Sequence, residues 1–288
     1  MQTDTPSHTT GLIWGAILPH GPDIVLEITK DPALMAETRA AMVVAGHQFA
    51  AARVDTVILL DPLLVHSQNS FEERSLFRGD GVLSIGMAAH AGGEMGHVRE
   101  RFACDESLAR SILEAGRAAG FPVAGDADQS GELEVVGGAL IPLWFTLRPL
   151  PQPRPQLVVI APSPAVPRET LIRFGGLLAE VAGKSGKRVA LVASADHGHT
   201  HDPGHQRFGY SPAAAQYDAV YCQAVKANRL DSLRDLSDEI LVDSWSDSLW
   251  QTLVLAGALN AVPMQVDFIS YAVPSYYGMV VATYEPVT

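Results

Sequence analysis

What most constrains the fold of this chain is a repeated alternation. Short runs that are apolar at almost every position stop abruptly at a proline or polar residue, and longer stretches with helical spacing separate them. Residues 157–160, a helical stretch at about 167–182, and residues 189–193 make one such strand–helix–strand unit. Runs without polar alternation are what strands buried on both faces look like, and their alternation with helices builds a mostly parallel sheet. Residues 12–18 form a further run, which delivers Pro19-His20-Gly21-Pro22 into a turn, and residues 57–60 another, which stops at Asp61-Pro62. Asp31-Pro32 offers an N-cap and a first-turn proline for a helix reaching about residue 53. Helices are also expected at 106–119, 137–147, 212–228 and 247–259, and closing strands at 266–271 and 279–282. The fold class predicted is α/β, a single domain over residues 11–286 with a mostly parallel central sheet covered by helices on both faces, preceded by a flexible segment, 1–10. The prolines of residues 149–155 cannot join a helix or a central strand and read as a connection within that domain.

Composition narrows the partner. A chain of 288 residues that is 47% hydrophobic can bury one large core. Its formal charge of −12, with no clustered Lys/Arg segment, is the wrong footprint for a phosphate backbone or an anionic membrane, so no nucleic acid and no membrane is expected, and the partner is a small molecule. Cys104 and Cys222 lie far apart without a CxxC spacing, so they read as buried free thiols. The first ten residues lack a basic n-region and an apolar h-region, and no run reaches the roughly 18 to 20 apolar residues of a membrane span. A cytoplasmic location is expected.

Chemistry concentrates where apolar runs end. His20 follows the first, Asp61 the second with His66 nearby, and Ser194-Ala195-Asp196-His197-Gly198-His199 follows the run at 189–193. Ligands of open α/β sheets bind outside the carboxyl ends of the strands, so groups remote in sequence can converge there. Residues 197–205 hold four of the ten histidines: His197, His199, His201 and His205. Imidazole both ligates transition metals and titrates near neutrality, which leaves metal binding and acid/base work open, beside the bland alternative of a surface loop that captures adventitious metal.

These segments resemble a known family. Leu18-Pro19-His20-Gly21-Pro22-Asp23 is similar to the first metal-binding motif of the class III extradiol ring-cleavage dioxygenases, the protocatechuate 4,5-dioxygenase type. Ala193-Ser194-Ala195-Asp196-His197-Gly198-His199 resembles their "ASGDLSH" segment, and residues 208–218, ending Gln216-Tyr217-Asp218, resemble "GYxPxxxxFD". Leu255-Ala256-Gly257-Ala258-Leu259 looks like their closing "LLGAL" helix. The resemblance implies a mononuclear non-heme Fe(II) held by two histidines and a carboxylate, with open positions for the adjacent oxygens of a catechol and for O2. Carried over, it implies His20 as a metal ligand and His199 as catalytic acid/base, with His197 its local competitor.

Other positions depart from the family's pattern. Leu63 stands where a second metal-binding histidine is expected, and the candidates to replace it are His66, three residues on, if the loop curls back, or one of His197, His201 and His205. The family's central "DHG" falls on Val136-Gly137-Gly138. The carboxylate falls on Asp247 in one register and on Ser246 in another, with Asp243 and Glu239 as fallbacks, and Asp247 also reads as a helix N-cap. Asp61, Asp196 and Asp202 are candidate acceptors behind the ligands, while Trp245, Trp250, Tyr276 and Tyr277 are candidate aromatic walls. The expected function is an Fe(II)-dependent extradiol-type dioxygenase that takes a catechol-like or aminophenol-like compound and O2, as a homodimer or as partner subunit of a two-component enzyme. The alternatives are a non-catalytic dioxygenase-like subunit, or a hydrolase or lyase reusing the pocket with another metal or none.

Overall fold

The computed structural model describes residues 10–62, 80–126 and 131–287. In chain order the elements are β1 (Gly11–Leu18), α1 (Ala36–Ala52), β2 (Thr56–Leu60), β3 (Leu83–Gly86), β4 (His90–Met95), β5 (Val98–Ala103), α2 (Glu106–Ala118), β6 (Val123–Asp126), β7 (Glu132–Glu134), α3 (Gly137–Thr146), β8 (Gln156–Pro162), α4 (Arg168–Lys184), β9 (Arg188–Ser194), α5 (Pro212–Lys226), α6 (Asp238–Ser244), α7 (Leu249–Ala261), β10 (Met264–Ala272) and β11 (Met279–Pro286).

Among the described residues the main sheet has eight strands in the order β10-β11-β1-β9-β2-β8-β3-β6. Its centre, β1-β9-β2-β8, is parallel throughout, and antiparallel pairing enters on both flanks, at β11 and at β3. Every residue of β1 and β2 is buried, which accounts for their uninterrupted apolar sequence. Alternate side chains serve opposite faces, as the pleat requires. Ile17, Ile58, Leu60, Leu191 and Ala193 join the core under α4, α5 and α7, whereas Trp14, Leu18, Val57, Leu59 and Val192 join the core under α1 and α3.

Two expected helix starts are displaced. α1 begins at Ala36, not after Asp31-Pro32, because the Asp31 carboxylate accepts from the Ala33 N–H (3.0 Å) and closes a separate turn. α7 begins at Leu249 with Ser248 at its N-cap, so Asp247 does not cap it. A small sheet, β5-β4-β7, lies outside the sequence-based expectation. Its strands carry Gly92-Gly93 and several charges, which is weak strand composition, and pairing between segments supplies what propensity does not. Among the described residues no helix is long and apolar enough to cross a membrane.

Candidate functional site

β1, β9 and β2 are parallel neighbours, so the segments leaving their carboxyl ends emerge side by side. Leu18 pairs with Ser194, and the Ala195 N–H donates to Leu18 O (2.9 Å), which continues the ladder past the strand ends. Two residues on, the His20 N–H donates to Asp196 Oδ1 (3.0 Å), although 176 positions separate them. The pleat sends Ser194 and Asp196 toward His20 and leaves Ala195 in the core.

The His20 ring is held at both nitrogens. The Ser194 hydroxyl gives its single proton to Gly138 O (2.5 Å), so its lone pairs face His20 Nδ1 at 3.0 Å and Nδ1 must be the donor there. Nε2 then lies 3.3 Å from Asp247 Oδ2 and 3.5 Å from Asp196 Oδ2. The second carboxylate is fixed as well, since Asp247 Oδ1 accepts the Asp196 N–H at 3.1 Å. Gln251, one turn into α7, donates to Ser194 O (2.6 Å) and to Asp247 O (2.5 Å), tying that helix to the end of β9.

All three ionisable groups are buried, which sets their electrostatics. Burial alone would depress the His20 pKa, but Asp196 and Asp247, with a smaller contribution from Asp61, carry it up to about 9. Asp196 is pushed up by burial and by its neighbouring carboxylate; for Asp247 the ion pair and hydrogen bond with His20 outweigh burial and hold it down. One proton on His20 therefore balances part of a negative pocket.

Of the other expected site residues, His199 is half-buried within electrostatic reach of Asp196 and Asp247. Its ring stacks on Tyr277 (centroids 5.4 Å, 15°) and lies against Phe208 and Tyr276, and its buried Nδ1 has no hydrogen-bond partner among the described residues. His197 is fully buried edge-on to Tyr221 at 4.1 Å, and neither ring nitrogen has a partner among the described residues. Burial lowers its pKa to about 4, so this imidazole is neutral. His201 Nε2 meets Asp218 Oδ2 at 2.9 Å, and His205 stacks on Tyr276 at 4.0 Å.

His66 and Leu63 lie outside the described residues. Gly137 opens α3 beside His20, and among the described residues a Cβ built on it would meet nothing nearer than 3.9 Å, where His20 O lies. Ser246 Oγ is engaged with Ser248 Oγ (2.8 Å), while Asp243 and Glu239 are exposed. Asp61 is buried and acts on His20, whereas Asp202 is exposed and accepts from the Gly204 N–H. Trp250 is buried in the core, while Trp245 and Tyr276 are half-buried and both pack on Phe208. Ser194 and Gln251 were not singled out in the sequence. Ser194 can be found by its two-residue offset from Asp196, but Gln251 carries no comparable signal.

An open α/β sheet with an imidazole, two carboxylates and a second half-buried histidine beyond its central strand ends defines a buried, charge-paired site of the kind that hosts enzyme chemistry. The family model described as the catalytic LigB subunit of aromatic ring-opening dioxygenase matches residues 15–282, and the chain belongs to that family. At the family level it stands among dioxygenase-type oxidoreductases that open aromatic rings. Among solved structures it is similar to the uncharacterized protein JW3007 from Escherichia coli K12, with a TM-score of 0.58 and 14% identity over 94% of this chain and 99% of that one, a likeness of fold. No curated protein matches.

A family of this type brings a metal into question. The donor types fit a divalent cation: an imidazole whose Nδ1–H is held while Nε2 is presented to two carboxylates, and a pocket whose negative charge a cation would balance. Among the described residues, however, no group of three His, Cys, Asp or Glu side chains is arranged to hold a metal ion.

Proposed function

We propose that the protein is an Fe(II)-dependent extradiol-type dioxygenase acting on a catechol-like or aminophenol-like aromatic compound. The observation that carries this reading is the double hold on His20: Ser194 takes Nδ1, and Nε2 is left facing Asp247 and Asp196. An imidazole so oriented is a prepared ligand, because a ring fixed by its other nitrogen binds a metal better than a free one. His20 and Asp247 would hold the metal, with His66 as the third donor. When bound, the metal supplies sites for the substrate's adjacent oxygens and for O2.

The rest of the reaction falls to the chain's own residues. His199 is the acid/base that takes a proton from the substrate and returns it as the ring opens, at a position flanked by Tyr277, Phe208 and Tyr276. Those rings give a planar substrate a stacking surface and limit water near the reacting atoms. In this reading the partners are the aromatic substrate, O2 and a second copy of the chain or a companion subunit. Anaerobic loading with Fe(II), followed by oxygen uptake over a panel of catechols and aminophenols, tests it. Uptake with at least one substrate and formation of a ring-opened product are expected. A protein that binds no iron and takes up no oxygen, although folded, would leave the non-catalytic subunit or a metal-independent hydrolase or lyase in its place.

A further inference from the structure

The histidine-bearing loop after β9 has no regular secondary structure around residues 195–200, yet its histidines must hold fixed positions if they are to act. One buried side chain from another element braces it. Asp218, on α5, is 1% exposed. Its Oδ1 accepts the Gly198 N–H at 2.8 Å, and its Oδ2 accepts His201 Nε2 at 2.9 Å and the Tyr271 hydroxyl at 2.7 Å. Three charge-assisted bonds thus join α5, the loop and β10 through one carboxylate.

The brace extends to the opposite wall. The Gly278 N–H donates to Gly198 O (3.0 Å), and the His197 N–H donates to Gly278 O (2.9 Å), so the loop and the segment before β11 are paired back to back. A Cβ on Gly278 would lie 2.1 Å from Asp218 Oδ2, so only glycine lets the carboxylate reach under this pairing. The His201 N–H also donates to Tyr276 O at 3.2 Å. The residues immediately before Gly278 are Tyr276 and Tyr277, the rings against which His199 lies. A shift at Asp218 would therefore move both the backbone that carries His199 and the aromatic wall that orients its ring.

We infer that Asp218 is a positioning residue for His199, setting the place and tilt of that imidazole through Gly198, His201 and the Gly278 pairing. The inference rests on the dioxygenase reading for its kinetic consequence but not for its structural one. In Asp218→Asn the negative charge is lost from all three bonds, and the amide keeps the Gly198 N–H on its oxygen only by turning its NH2 to His201 Nε2 and the Tyr271 hydroxyl, which must then reverse their roles or lose the bond. Loss of positioning is worth up to roughly 10²-fold in rate when a reacting group is displaced by about 1 Å.

Two measurements on the full chain decide the matter. In the iron-loaded protein, Asp218→Asn is expected to lower kcat by about tenfold to a hundredfold, with unchanged iron content and little change in KM. In a His199→Ala background the same substitution is expected to do nothing further, because both changes then act through one group. Full additivity of the two losses, or no loss in the single variant, would overturn the inference. In the metal-free protein, long-range ¹H–¹⁵N spectra of the imidazoles are expected to show the His199 and His201 ring signals both displaced by Asp218→Asn. A change confined to His201 would overturn it. Should Asp218→Asn fail to fold, Tyr271→Phe removes one of the three bonds and is read in the same two ways, with smaller displacements expected. If the wild type shows no oxygen uptake, the dioxygenase reading fails, while the spectra still decide whether Asp218 positions His199.

Discussion

His20 has few options where it stands. Its Nδ1 proton is committed to Ser194, whose own proton is committed to Gly138, so everything variable about the ring happens at Nε2. There it either carries a proton between two carboxylates or offers a lone pair to a cation, and the two states exclude each other. A graded series follows. His20→Ala is expected to abolish iron binding, since it removes outright the donor that the proposed function assigns to the metal. Ser194→Ala leaves the donor but frees its ring, and is expected to weaken iron affinity by roughly 10- to 100-fold. His199→Ala is expected to retain iron and lose turnover by roughly 10²- to 10⁴-fold, the usual worth of a positioned acid/base. Metal analysis after desalting, read beside oxygen uptake, separates the three. Equal iron content in His20→Ala and His199→Ala would remove His20 from the ligand set.

At the scale of elements, the site depends on how α7 is seated, because Asp247 precedes that helix and Gln251 lies in its first turn. α7 packs on α4 backbone to backbone. A Cβ on Gly257 would fall 1.7 Å from Ile172 O, and one on Gly175 would fall 1.8 Å from Val254 O. Gly257→Ala must push the two helices apart, and is expected to cost about 3 kcal/mol, the upper part of the usual overpacking range. That corresponds to a melting temperature lower by roughly 4–6 °C. Gly183→Ala, in α4 but with nothing among the described residues within 4 Å of the added carbon, is expected to raise stability by about 0.5–1 kcal/mol, because alanine loses less backbone entropy in a helix. Thermal denaturation of the pair checks whether the close approach is what glycine serves here. Parallel strands buried on both faces announce themselves by uninterrupted apolar runs, so β1, β2, β8 and β9, and with them the placement of His20 and Asp196, were legible in the sequence. β4, β5 and α6 were not, because their residues have little intrinsic preference and their conformation is imposed by neighbours. The same holds inside the site: residues at strand ends could be anticipated, but Gln251 and the bracing role of Asp218 come from helices, whose orientation toward the loop only tertiary packing determines.

Across the whole molecule, the cluster joins parts of the chain that fold as separate elements: the end of β1 through His20, the end of β9 through Ser194 and Asp196, and the approach to α7 through Asp247. A cation held by His20 and Asp247 would bridge the first strand and the last helix, and the unfolded chain offers no such arrangement. Binding that favours the native state alone adds RT ln(1 + [L]/Kd), about 2.7 kcal/mol when the free ion is at 100 times Kd. For a chain of this size that amounts to roughly 4–5 °C in melting temperature. Anaerobic scans of the chelator-stripped protein with and without Fe(II) are therefore expected to differ by that amount. In His20→Ala the increment is expected to vanish, whereas in His199→Ala it should persist, since the proposed reaction uses His199 as an acid/base and not as a donor. An equal rise in wild type and His20→Ala would mean that the stabilising ion sits elsewhere, for example among His201, His205 and the exposed Asp202, and the assignment of the strand-end cluster as the metal centre would fall.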